Sequence, residues 1–186
     1  MPAYAGRTTE EGKDREEIHA HVFFGGHSEM VNNAATLSVW GVASREAAGS
    51  RLTVTANIRN HGAGHAIPTG IPGMREIWLE VDVLGPDETR LGGERFRYGQ
   101  LLVKRDGSPA LPWEAFRILD ANNRIEPEQS KQDRFDVVLP ASLTGKVTIR
   151  ANLYLRLVSE AMGQRLGVPI PDPILMTSAE ATVSIE

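Results

Sequence analysis

Beyond Leu37, apolar side chains fall at every second position through most of the chain, and this period of two limits the folds open to it. Leu52, Val54, Ala56 and Ile58 alternate with Thr53, Thr55, Asn57 and Arg59, and Ile77, Leu79, Val81 and Val83 alternate with Trp78, Glu80 and Asp82. Phe135, Val137 and Leu139 repeat the pattern, and the longest run takes in Val147, Ile149, Ala151, Leu153, Leu155 and Leu157. Successive side chains of a strand point to opposite faces, so each run reads as a strand with one face in a core and one in water. Weaker strands are predicted at 37–42, 95–103, 116–119 and 181–185.

Turn signals separate these runs: Ala48-Gly49-Ser50, Gly85-Pro86-Asp87, Gly92-Gly93, Asp106-Gly107-Ser108-Pro109, Asn122-Asn123, Glu126-Pro127-Glu128 and the stretch from Pro169 to Pro173. No long amphipathic helix lies between strands, which disfavours a parallel sheet with its crossover helices. The fold class expected is all-β, an antiparallel immunoglobulin-like β-sandwich of seven to eight strands with an irregular or short-helical N-terminal extension. The division expected is 1–36 for the extension, which carries a histidine-rich loop, and 37–186 for the sandwich. Arg95, Arg97, Lys104 and Arg105 read as a mildly basic, exposed strand face.

Composition narrows function more than fold. Twenty Lys and Arg against 24 Asp and Glu leave a net charge of −4 in 186 residues, without the basic surplus that nucleic acid demands. There is no cysteine, which removes disulfides, thiolate nucleophiles, zinc ribbons, blue copper and any haem tethered covalently by this chain. No apolar run approaches the roughly 18 residues of a membrane span, and the first seven residues lack the layout of a signal peptide. A core of this size buries about 70% of the unfolded surface, so it needs no metal for stability.

All five histidines, His19, His21, His27, His61 and His65, lie in the first 65 residues. Their placement in glycine-rich loops rather than strands invites a ligand reading. The loop from His61 to Arg75 follows the cleanest strand. Its prolines fix φ while its glycines admit positive φ, so it is stiff enough to present an imidazole at low entropic cost. Physics alone weighs that reading evenly against a plain strand connection. No G-x-S-x-G elbow, H-E-x-x-H, G-x-G-x-x-G or P-loop is present, and no nucleophile and base pair is recognisable, so the chain is not expected to be an enzyme.

The stretch His21-Val22-Phe23-Phe24-Gly25-Gly26-His27-Ser28, followed by Asn60, Gly62-Ala63-Gly64-His65, Pro68-Thr69-Gly70-Ile71-Pro72, Arg75 and Trp78-Leu79-Glu80-Val81, resembles the C-terminal β-sandwich region of periplasmic or extracellular multihaem c-type cytochromes. The resemblance rests on motifs within 1–83 and only on strand pattern thereafter. It implies a non-catalytic domain that caps the last haem and donates a distal histidine. The implied metal ligands are His21, His27 and His65, with Phe23 packing on the porphyrin and Arg75 pairing with a propionate. The implied cofactor is haem c, held by axial ligation alone, with the covalent tether outside this chain. In that family the segment follows the last C-x-x-C-H, often continued by Met-Pro, so a start at Met1-Pro2 suggests a downstream fragment. Partners would be the upstream multihaem domain of the same parent and redox proteins, with no nucleic acid and no membrane span, in the periplasm or outside the cell. Two alternatives stand beside this reading: a histidine-ligated copper or zinc module, and a plain immunoglobulin-like interaction or assembly domain.

Overall fold

The computed structural model describes residues 3–19, 29–120 and 123–186. In chain order these form β1 (Ala3–Gly6), β2 (Arg15–His19), a 3-10 turn (Glu29–Asn33), β3 (Ala35–Gly41), β4 (Arg45–Glu46), β5 (Arg51–Asn60), β6 (Glu76–Leu84), β7 (Arg90–Tyr98), β8 (Leu101–Val103), β9 (Arg117–Asp120), β10 (Ser130–Val138), β11 (Gly145–Arg156), α1 (Glu160–Leu166) and β12 (Ile174–Ile185). Two sheets form the sandwich, β10-β5-β3 and β4-β12-β11-β6-β7, and every pairing is antiparallel except the short β12–β4 contact. This is the antiparallel, immunoglobulin-like all-β architecture that the alternation predicts.

The core lies where that alternation is cleanest. Leu52, Val54 and Ile58 of β5 are wholly buried, as are Leu79, Val81 and Val83 of β6 and Val147, Ile149, Ala151 and Leu153 of β11. Each of these strands has neighbours on both sides, so one face is covered by the opposing sheet along its length. Burying a side chain of Val, Leu or Ile size contributes roughly 1.5–3 kcal/mol. The sheets also meet at their margins, where Phe96 of β7 and Phe135 of β10 bring their ring centroids to 6.2 Å.

Several local expectations change. The predicted strand over 95–103 is two strands in different sheets, β7 and β8, broken at Gly99-Gln100. Gly92-Gly93 is not a turn but lies inside β7, because Val137 from the opposing sheet packs where a Gly92 side chain would sit and the Val81 carbonyl crowds Gly93. The turn is one step earlier, closed by the Gly85 amide on the Thr89 carbonyl at 2.8 Å. β12 is longer than the predicted 181–185 because Ala179 and Ala181 are too small to display the alternation. The N-terminal extension contains a β-hairpin, not merely irregular or helical chain, with Tyr4 opposite Ile18 and Arg7 paired with Asp14 at 2.8 Å. Its short helical element is the 3-10 turn at Glu29–Asn33.

Candidate functional site

β5 ends on Asn60, a fully buried polar side chain. Its Nδ2 donates to the His65 carbonyl at 2.7 Å and to the Ile125 carbonyl at 3.0 Å. Ile67 and Ile125 exchange backbone hydrogen bonds of 2.9 Å in both directions, so the loop after β5 and the segment before β10 are clipped together at one end of the sandwich. A buried amide that satisfies two carbonyls fixes a loop more firmly than surface contacts would.

The His61–His65 loop is pressed against the 3-10 turn. The Gly62 amide donates to the Ala34 carbonyl at 3.1 Å, and a Cβ on Gly62 would lie 1.9 Å from the Asn33 carbonyl oxygen. Only glycine fits there. Val31 of the turn and Ala63 of the loop both pack on the sandwich core. The histidine-bearing loop therefore packs against the end of the 3-10 turn at Asn33 and Ala34.

His65 itself is exposed, and its Nδ1 lies 3.1 Å from the Ala66 carbonyl. A carbonyl only accepts, so this contact is a hydrogen bond when Nδ1 carries the proton. In the neutral ring that leaves the Nε2 lone pair free, the tautomer that metal-ligating imidazoles use. His61 is exposed as well. His21, His27 and Phe23 lie outside the described residues, as does the His19 side chain. Among the described residues no three His, Cys, Asp or Glu side chains gather into a metal site.

On the other side of the Ile67–Ile125 bridge is a cleft of about 450 Å³, bordered by the 68–78 loop, β7, β8, the 109–111 segment, Asn123-Arg124 and the start of α1. Arg75 lines it, with its guanidinium 3.9 Å from where a Gly70 Cβ would stand. The loop is tied to α1 by Ser159, whose amide donates to the Met74 carbonyl and whose Oγ donates to the Gly73 carbonyl, both at 2.7 Å. Ser159 Oγ also accepts from the Met162 amide and caps the helix.

The floor of the cleft is the outer face of the five-stranded sheet. Trp78 projects outward yet is almost buried, because Tyr154 stacks on it at 5.5 Å and the guanidiniums of Arg95 and Arg156 lie 5.6 and 5.1 Å from its ring. Arg95 pairs with Glu80, Arg97 with Glu76, and Arg156 with Glu160 and Glu76. Arg75 and Arg124 have no acidic or hydrogen-bonding partner among the described residues, and the buried Nε–H of Arg124 is left without an acceptor. An unsatisfied buried donor costs about 1–3 kcal/mol.

His65 and Arg75 therefore do not share one pocket but flank a common bridge. Three peptide bonds separate His65 from Pro68 at the cleft edge, so their Cα atoms stand at most about 11 Å apart. Arg75 is singled out by its motif, and Arg95 and Arg97 by their alternation along the basic face. Arg124 and Arg156 carry no local signal, because they reach the cleft from segments distant in sequence.

No protein-family model and no curated protein matches the sequence. The chain superposes on a penta-haem cytochrome c552 from Thermochromatium tepidum with a TM-score of 0.68 and 21% identity, over 86% of this chain and 42% of that one. A weaker superposition, with a TM-score of 0.43 and 12% identity, relates it to the CARDB domain of the PF1109 protein from Pyrococcus furiosus, solved in complex with di-metal ions. No described helix is long and apolar enough to cross a membrane. At 21% identity the likeness is one of fold: this chain carries a β-sandwich of the kind found in part of a multihaem cytochrome.

Proposed function

We propose that the chain is a non-catalytic domain of a multihaem electron-transfer cytochrome, capping the last haem and giving it a distal imidazole. The observation that carries this is the state of His65: an exposed ring on a loop clipped by Asn60, with Nδ1 against the Ala66 carbonyl and Nε2 open. Those features fit an axial ligand, which must be neutral, presented through one nitrogen and oriented through the other. His21 and His27 belong to a segment joined through Glu29 to the turn that abuts this loop, and they are the other ligand candidates. The haem, bound through a tether outside this cysteine-free chain, would supply the electron transfer. The chain's own part is to orient the imidazole, to exclude water with apolar side chains such as Phe23, and to offer the Arg75 guanidinium to a propionate.

The fold likeness to a cytochrome segment supports the reading, which carries with it a location in the periplasm or outside the cell. The parent gene tests it. Codons upstream of Met1 should encode C-x-x-C-H, and in the parent protein His65→Ala should abolish or alter the low-spin spectrum of one haem. An upstream sequence without that motif would contradict the proposal.

A further inference from the structure

We propose that the arginine-lined cleft is a carboxylate-binding site, in which Arg75 and Arg124 anchor the acid and the apolar walls take the body that carries it. Five arginines line the cleft against two glutamates, Glu76 and Glu160, in a chain whose net charge is −4. Three of the five are committed. Arg95, Arg97 and Arg156 hold glutamates, and two of them also cover Trp78. Arg75 and Arg124 hold no glutamate; the fold delivers one from the loop tied down by Ser159 and the other from the strand pairing of Ile125 with Ile67, while Arg156 keeps a buried Nε–H without an acceptor. The buried Nε–H of Arg124, beside apolar lining that includes Leu102 and Leu111, is unfavourable until an anion supplies an acceptor.

The rest of the lining selects the anion. Planar guanidinium forks match a carboxylate or a phosphate, and Glu76 and Glu160 beside them disfavour the doubly charged phosphate more than the singly charged carboxylate. The apolar walls favour an acid on a bulky hydrocarbon or aromatic body. The inference depends on the haem-capping reading only for the source of that acid, which is either a propionate of a neighbouring haem or a free aromatic acid.

Binding is read in two ways: by tryptophan fluorescence in a Trp40→Phe/Trp113→Phe chain, which leaves Trp78, and by the NMR resonances of the arginine Nε–H groups. The probes are metal-free protoporphyrin IX, its dimethyl ester, 4-phenylbutyrate and inorganic phosphate. Metal-free porphyrin cannot take an axial ligand, so it tests the cleft apart from the histidines. The expected result is saturable binding of an acid probe that shifts the Arg124 Nε–H resonance, weakens at least tenfold in Arg75→Gln/Arg124→Gln, and is unchanged in His65→Ala. The ester should bind at least tenfold more weakly than its parent, and phosphate should not compete. Porphyrin binding assigns the source to haem, whereas binding of 4-phenylbutyrate alone keeps the site and overturns the haem source. Arg75→Gln alone removes no ion pair and serves as the variant whose fold is preserved. If neither acid moves the arginine resonances, or if the variants bind as the parent does, the proposal is overturned.

Discussion

Tyr98 Oη donates a 2.6 Å hydrogen bond to Asp133 Oδ2, joining β7 at the edge of the five-stranded sheet to β10 at the edge of the three-stranded one. The Lys131 ammonium lies 5.6 Å from the same tyrosine ring and also bonds the Asn123 side chain, which in turn donates to the Arg97 carbonyl at 2.6 Å. One polar seam thus closes the sandwich beside the cleft.

Burial, and then the Asp133 carboxylate, push the Tyr98 hydroxyl far above the ordinary phenol range. An unfolded tyrosine ionises near pH 10, so above about that pH unfolding releases a proton that the folded chain retains. The bond's contribution is present in full below about pH 10 and declines as pH rises further. Tyr98→Phe should lower stability at neutral pH by about 1–3 kcal/mol and flatten the alkaline decline. Denaturant unfolding between pH 7 and 11.5 checks both effects.

Asn60→Ala should cost about 1–3 kcal/mol, since the His65 carbonyl loses its side-chain donor and the Ile125 carbonyl loses one of two. The loss should be local. Hydrogen exchange at the Ile67 and Ile125 amides should accelerate well before that of β11, where the core strands pair. Uniform acceleration across the sandwich would show that Asn60 does not act as a loop clip.

Gly62 and Gly64 separate two kinds of glycine requirement. Gly62→Ala would drive a Cβ into the Asn33 carbonyl, and the backbone shift required should cost several kcal/mol, in the upper range for overpacking of about 1–3 kcal/mol or above it. Gly64 has φ +68° and open space around it, so Gly64→Ala should cost only about 1 kcal/mol. Thermal unfolding of the two variants gives the comparison.

Ser159→Ala removes both the cap of α1 and the tie to Gly73, and a cost of about 1–2 kcal/mol follows. Because that tie positions the loop bearing Arg75, acid-probe binding in the cleft should weaken with it. Unchanged binding would place the control of Arg75 elsewhere.

The sandwich was legible because β5, β6 and β11 each carry large apolar groups on one face and polar groups on the other. The period disappears wherever size or length hides it, as with the alanines of β12 and the seven residues of α1. The N-terminal hairpin was hidden by charge, since its Tyr4–Ile18 pairing joins isolated apolar residues across a polar turn. The stiffness of the 61–75 loop was legible from its prolines and glycines, whereas His21 and His27 lie outside the described residues. The cleft was legible only in fragments, because Arg75, Arg97, Arg124 and Arg156 converge through tertiary contacts that no local pattern encodes. Asn60 stood in the motif by its position alone, and its part as a two-carbonyl clip emerges only from the fold.

Titration of the chain with a haem c peptide that carries C-x-x-C-H, so that its own histidine already fills one axial position, followed by optical and electron paramagnetic resonance spectroscopy, tests the imidazole account most directly. The account predicts a low-spin, bis-nitrogen spectrum that is lost on combined replacement of His21, His27 and His65 by alanine. A haem peptide that remains high-spin, or a spectrum identical in the parent chain and the triple variant, would contradict it.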